Sequence, residues 1–236
     1  MPARTHRSTV IATEWLSPDV VQLTLSPPGE AYDFQPGQWA PFHLPIGPRP
    51  PLIRPYSFAE PPRDDGALVF ALDRVEGGAG SDYLCERAPE DPLTLADPLG
   101  NFTLPEPLPA ELLLVARFTG IVPIRCMLRA LAKLPERPRT RLVYGMPNAR
   151  ELVYHAEMLA LAAIADWFEY HPTLLAPDAS RDGPVGDELA IVAGLPATPG
   201  ETHPMICGRR AFTHELRAHF MDRGFERRAV KLENYD

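Results

Sequence analysis

Lysine is almost missing from this 236-residue chain: Lys133 and Lys231 are the two, and the other basic residues in a total of 23 are arginines. A GC-rich genome or a hot habitat produces such a bias, but it also stocks the surface with bidentate phosphate donors. Cysteine is scarce. Cys85, Cys126 and Cys207 are far apart and odd in number, which excludes a disulfide framework and leaves no C-x2-C spacing for zinc. A reducing cytoplasm is the expected compartment. No apolar run approaches the roughly 20 residues that span a bilayer. The opening MPARTHRSTV has no apolar stretch behind it, so neither a membrane span nor a secretory signal is expected. Acidic residues outnumber basic ones, 31 to 23, for a net charge of −8; a basic face for nucleic acid is not expected. His214 and His219 do not share a helical face, and no metal site is expected. GxSxG and P-loop motifs are absent.

What is there is an ordinary globular balance, 45% hydrophobic and 23% charged, with one excess. Proline reaches 29 residues, clustered at 27–28, 48–51, 61–62 and 105–109. Such clusters break up the first half into short strands and forbid long helices there. VVQLTLS and GALVFALDRV alternate like half-buried strands. Pro36-Gly37 suits the centre of a type II turn, with QWAPFHL as the strand after it. RPYSFAE is another strand, and a short helix falls near SDYLCER. Short strands punctuated by turns predict an antiparallel barrel or sandwich.

The pattern changes near residues 105–110. ELLLVARF is a continuous apolar strand of the kind buried on both faces. IVPIRCMLRALAKL has helical spacing, with Pro123 in its first turn. RLVYGM, PMICG and AVKLENY read as further strands; HAEMLALAAIA and FTHELRAHFMDRGF read as helices, the latter stopped by Gly224. ELAIVAG fits a helix or a short strand. Alternation of strand and helix predicts a parallel α/β sheet. The expected fold is therefore α+β with two domains: an antiparallel β-barrel or sandwich, then an α/β domain with a parallel sheet.

Three places carry chemistry. ELLLVARF runs into Thr119-Gly120 and a helix start, a turn whose exposed N–H groups suit a pyrophosphate; plain chain reversal explains the same pattern. Arg54-Pro55-Tyr56-Ser57 puts a guanidinium, a ring and a hydroxyl on one strand, with Arg54 and Tyr56 on the same face. GGAGSDYL, with Gly78, Gly80 and Ser81, opens a helix at a glycine-rich turn where backbone can approach a diphosphate.

These segments resemble the ferredoxin–NADP reductase superfamily of FAD-dependent pyridine-nucleotide reductases. RPYS at 54–57 is similar to its RxYS flavin motif, and FQPGQW at 34–39 to the FxPGQ turn before it. GGAGSDYL at 77–84, ADPLGNFTL at 96–104, YGMPNARELVYHAEM at 144–158, ICG at 206–208 and LENY at 232–235 resemble further family segments in the same order, over nearly the whole chain.

The resemblance implies a Greek-key antiparallel β-barrel that binds FAD over 1–106 and an NAD(P)-binding-like α/β domain over 107–236. It places Arg54 with the FAD pyrophosphate, Pro55 among the cofactor-binding residues of the same motif, Tyr56 against the flavin ring and the Ser57 hydroxyl on the flavin nitrogen that accepts hydride. Gly78, Gly80 and Ser81 would cradle the diphosphate, and Asp73, Arg74 and Val75 fall at the adenine side. Thr119 and Gly120 would hold the NAD(P)H pyrophosphate, Cys207 would lie beside the nicotinamide, and Glu233 and Tyr235 near the flavin. Arg150 and Arg181 fall where NADP-using relatives reach the ribose phosphate, a slight lean towards NADPH. The implied acceptor is a small carrier, ferredoxin or flavodoxin. Two departures stand out: Arg117-Phe118 where the family has glycines, and Arg209-Arg210 after Cys207 where it has proline. They leave open a flavoprotein electron-transfer or regulatory module with weak or no nucleotide binding; a flavin reductase is a further alternative.

Overall fold

In the computed structural model, residues 4–29, 32–47, 49–176 and 186–235 are described. The chain divides into two units, residues 1–103 with 125–133, and residues 104–124 with 134–236.

The first unit is a six-stranded sheet in the order β4-β3-β6-β1-β2-β5. Its strands are β1 (Thr5–Trp15), β2 (Val20–Leu25), β3 (Trp39–Leu44), β4 (Leu52–Ser57), β5 (Leu68–Asp73) and β6 (Pro92–Ala96). Neighbours pair antiparallel, and a bridge from Phe58 to Phe70 draws the two outer strands towards closure. The result is a near-barrel. The turn at Pro36-Gly37 forms as expected: Gln38 N donates to Gln35 O at 3.0 Å, and Gly37 sits at φ +100°. That positive φ is what a type II turn asks of its third residue. The core is aromatic. Phe34 stacks on Phe58 with ring centres 3.7 Å apart, and Phe42 meets Phe70 edge-on.

A short helix, α1 (Ala79–Cys85), packs against β4. Its start is close because Gly80 lacks a side chain. A Cβ there would come within 2.9 Å of Arg54 Cγ and 3.4 Å of Leu44 Cδ1.

The second unit is a five-stranded sheet in the order β11-β10-β7-β8-β9, parallel throughout. It comprises β7 (Glu111–Arg117), β8 (Arg139–Met146), β9 (Phe168–Leu174), β10 (Thr202–Arg209) and β11 (Lys231–Tyr235). The helices are α2 (Ile121–Leu131), α3 (His155–Ile164), α4 (Glu188–Gly194) and α5 (Arg210–Asp222). ELAIVAG is thus helical. Asp187 caps it, its Oδ1 accepting from Ala190 N at 2.7 Å. One face of the sheet, through Leu113, Val115, Val143 and Ile206, packs on Val192 of α4 and on Phe212, Leu216 and Phe220 of α5. Gly224, at φ +89°, ends α5 as expected; Phe225 N donates to Phe220 O at 3.0 Å beyond it. The outer strand β9 carries Pro172 in its middle.

Chain order reverses between β7 and β10. The connection from β7 steps outwards to β8 and β9; the chain then returns across the sheet to β10 and β11. In open parallel sheets the carboxyl ends of the strands flanking such a reversal part to leave a crevice for a ligand.

Candidate functional site

In the first unit, β4 holds the Arg54–Ser57 motif opposite β3, in the pairs Arg54 with Phe42, Tyr56 with Ala40 and Ser57 with Trp39. Alternation separates the roles. Arg54 is exposed, Tyr56 half-buried and Ser57 buried. The Tyr56 ring meets Phe42 edge-on, centres 5.5 Å apart. Burial pushes the Tyr56 phenol above its usual range; the Asp73 carboxylate adds to the rise and the Arg54 guanidinium opposes it. Arg54, Tyr56 and Asp73 therefore share one neighbourhood. The Arg54 stem lies against Gly80, and its Nη1 donates to Ile53 O at 2.8 Å.

Gly78 is similarly tight, since a Cβ would lie 2.7 Å from Ser81 Oγ. That hydroxyl is turned inwards. It accepts from Val75 N at 3.0 Å and donates to Gly78 O at 2.9 Å, so Ser81 shapes the 75–81 turn. Val75 stands out of it, 48% exposed. An exposed guanidinium, a half-buried ring and a glycine-opened turn suit a ligand with a diphosphate and a flat ring system, and FAD is such a molecule.

In the second unit the turn leaving β7 touches strand β10. A Cβ on Gly120 would overlap the Cys207 carbonyl oxygen. Thr119 is buried beside it, in a single 3-10 turn that precedes α2. Phe118 takes φ +49° there, a left-handed conformation that costs a non-glycine residue about 1 kcal/mol. Cys207 is wholly buried. Burial raises its thiol, a hydrogen bond from Tyr235 opposes that, and Glu233 adds to the rise. In register, Cys207 lies opposite Ala116 on one side and Glu233 on the other. Cys207, Glu233 and Tyr235 thus form one cluster. Burial alone raises Glu233 to about 7. Arg150 is exposed on the turn after β8, where its N–H donates to Asn148 Oδ1 at 2.9 Å. Arg181 lies outside the described residues.

One arrangement was not legible in the chain. Arg117 Nε donates to Glu188 Oε1 at 2.9 Å and Nη2 to Oε2 at 2.5 Å, across 71 residues of sequence. Gly145, at the end of β8, makes room: a Cβ there would overlap the Glu188 carboxylate. The one available signal was Asp187-Glu188 ahead of an apolar run, an N-cap followed by an acid.

Two family models match the chain: an oxidoreductase FAD-binding domain over residues 7–104 and an oxidoreductase NAD-binding domain over residues 114–217. The chain is 33% identical to ferredoxin–NADP reductase B of Sorangium cellulosum (strain So ce56), over 99% of both proteins. It is 29% identical to the reductase component of propane 2-monooxygenase of Mycolicibacterium goodii, over 83% of this chain and 55% of that one. It is 31% identical to the reductase component of the naphthalene 1,2-dioxygenase system of Pseudomonas putida, over 79% and 53%. The chain thus spans about half the length of these two multicomponent-oxygenase reductases. Among solved structures, a ferredoxin NADP+ reductase from Neisseria gonorrhoeae with bound FAD and NADP superposes at a TM-score of 0.83, with 21% identity, over 98% of this chain and 99% of that one. At that identity the likeness is one of fold.

Proposed function

This chain belongs to the ferredoxin–NADP reductase-like family of two-domain FAD- and NAD(P)-binding oxidoreductases, and from that premise we propose that NADPH is its donor and a small ferredoxin or flavodoxin its acceptor. The coarser activity is that of the family: an NAD(P)H-dependent flavoprotein reductase that passes electrons to carrier proteins. The observation carrying the finer reading is the end-to-end match to a ferredoxin–NADP reductase, 33% identical over 99% of both chains.

Bound FAD supplies the chemistry: it accepts two electrons as a hydride and gives them up singly. The chain's residues position and tune. Arg54 offers guanidinium donors to a diphosphate. Tyr56 presents a half-buried ring in the neighbourhood of Arg54 and Asp73. Ser57 sits at the buried end of β4, where its hydroxyl is screened from water and directed by the strand. Thr119 and Gly120 line the β7–α2 turn, and Glu233 stands next to Cys207 with a carboxyl that takes up or releases a proton near neutrality. Residues 1–106 form the flavin domain in this reading and 107–236 the nucleotide domain.

The test is anaerobic. The FAD-loaded protein is mixed with NADPH and with NADH, and bleaching of the visible flavin band is timed. Faster bleaching by NADPH, followed by reoxidation on adding oxidised ferredoxin or flavodoxin, is the expected result. Equal rates, or bleaching by NADH alone, would overturn the donor assignment; failure of both carriers to reoxidise the protein would overturn the acceptor.

A further inference from the structure

Cations collect at the chain reversal of the parallel sheet. Arg117 ends β7, Arg209 ends β10 and Arg210 begins α5. β7 and β10 are adjacent strands, paired Ala116 with Cys207, so these residues stand at neighbouring strand ends.

Arg117 is the most firmly built of the three. It continues the strand face of Leu113 and Val115, whose side chains enter the core under α4 and α5. An apolar side chain at this position would seal that core with no charge to desolvate. Instead a guanidinium stands there, and it is clamped. Glu188, on the first turn of α4, accepts two of its N–H groups, and the Phe212 ring of α5 lies beneath, 4.3 Å from ring centre to guanidinium carbon. The Glu188 side chain has no exposed surface, whereas a third of the Arg117 side chain remains open, at 33%. Among the described residues Nη1 has no hydrogen-bond partner. Its two N–H donors are thus left at the rim of the crevice, in a group whose orientation is already fixed. Gly145 is part of the same device, since its missing side chain admits the carboxylate.

A donor fork of fixed geometry, one residue from the turn that contains Thr119 and Gly120, has the chemistry to grip an oxyanion. We propose that Arg117 binds the diphosphate of the nicotinamide dinucleotide through Nη1, with Glu188 as the positioning residue that holds it in place. This rests on the reading of the second unit as the nucleotide domain. It gives the Arg117 departure a role, that of a charged donor beside the Thr119–Gly120 turn. The diphosphate is common to NADH and NADPH, so Arg117 acts on both alike.

The experiment uses FAD-loaded protein and calorimetric titration with ADP, which has the diphosphate but no nicotinamide and no 2′-phosphate; adenosine is the comparison probe. Removing the cation alone would strand Glu188 as a buried charge, so Arg117→Met is made singly and together with Glu188→Gln. The double variant is expected to keep its flavin and its melting temperature yet bind ADP about 10- to 100-fold more weakly, the loss of one charge-assisted contact pair. Adenosine affinity stays as it was, and KM rises equally for NADH and NADPH with kcat unchanged. Glu188→Gln alone, which frees the guanidinium to swing, gives a smaller loss of ADP affinity. ADP binding that survives in the double variant would overturn the proposal and leave Arg117 a purely structural residue. A KM rise confined to NADPH would overturn it as well, by moving the contact to the 2′-phosphate. Unaltered protein that binds no ADP would overturn the nucleotide-domain reading itself, and this proposal with it.

Discussion

Gly120 and Glu233 show how little latitude single positions have around Cys207. A methyl group on Gly120 would run into the Cys207 carbonyl, and that neighbour is strand backbone that cannot step aside. Gly120→Ala should therefore force the turn after β7 away from β10, costing NAD(P)H affinity at least tenfold while flavin content stays unchanged; titration of both ligands on the purified variant checks it. Glu233 answers to pH. Burial raises its carboxyl from 4.5 to about 7, so the folded protein holds the proton more tightly than the unfolded chain does. The stability that this contributes is complete below about pH 4.5 and fades as pH climbs through 7. Glu233→Gln removes the titration. Melting temperatures measured from pH 4 to 8 should fall more for the unaltered protein than for the variant, and parallel curves would contradict the buried carboxyl. On the proposed reading of Arg54 as the diphosphate's cation, Arg54→Ala should lower FAD retention on gel filtration, and unchanged retention would place the diphosphate elsewhere.

Among the elements, α4 shows where reading from the chain runs out. A run of seven residues such as ELAIVAG has the same apolar look in a helix and in a buried strand. Asp187 decides the matter by capping the helix, and by doing so it sets Glu188 against Arg117. Asp187→Ala should cost about 1 kcal/mol of stability, visible as a lowered melting temperature, and should also loosen the Arg117 clamp. Other elements were plain in advance for physical reasons. ELLLVARF is apolar on both alternating faces, which fits the buried middle of a parallel sheet. Pro36-Gly37 has one turn type that suits both residues. RPYS has a two-residue alternation that separates guanidinium and ring from hydroxyl. The inward turn of the Ser81 hydroxyl, the Gly145 vacancy and the Tyr235 contact with Cys207 were not legible, because each depends on residues brought together by strand register or loop closure rather than by spacing.

For the molecule as a whole, net charge and local charge disagree. The chain carries −8 overall, yet a shallow groove beside α5 and β11 is lined by Arg217, Arg227, Arg228 and Lys231, with Glu226 among them. Burial, and to a lesser degree the charge of Arg227, lowers the Arg217 guanidinium. An acidic carrier protein would be drawn to such a groove against the general repulsion. Arg227→Glu with Arg228→Glu should raise KM for an acidic ferredoxin several-fold at low salt and much less at high salt, with ferricyanide reduction unaltered; a salt-independent effect would point away from this groove. Among the described residues no helix is long and apolar enough to cross a membrane.

Pro172 has a bearing on association between copies. It sits within β9, the outermost strand on one side of the parallel sheet, and a proline has no N–H to give. A second molecule seeking to extend the sheet along that rim would meet a gap in the ladder. Among the described residues this strand is the outer one, and its missing donor makes that rim a poor template for fibre growth.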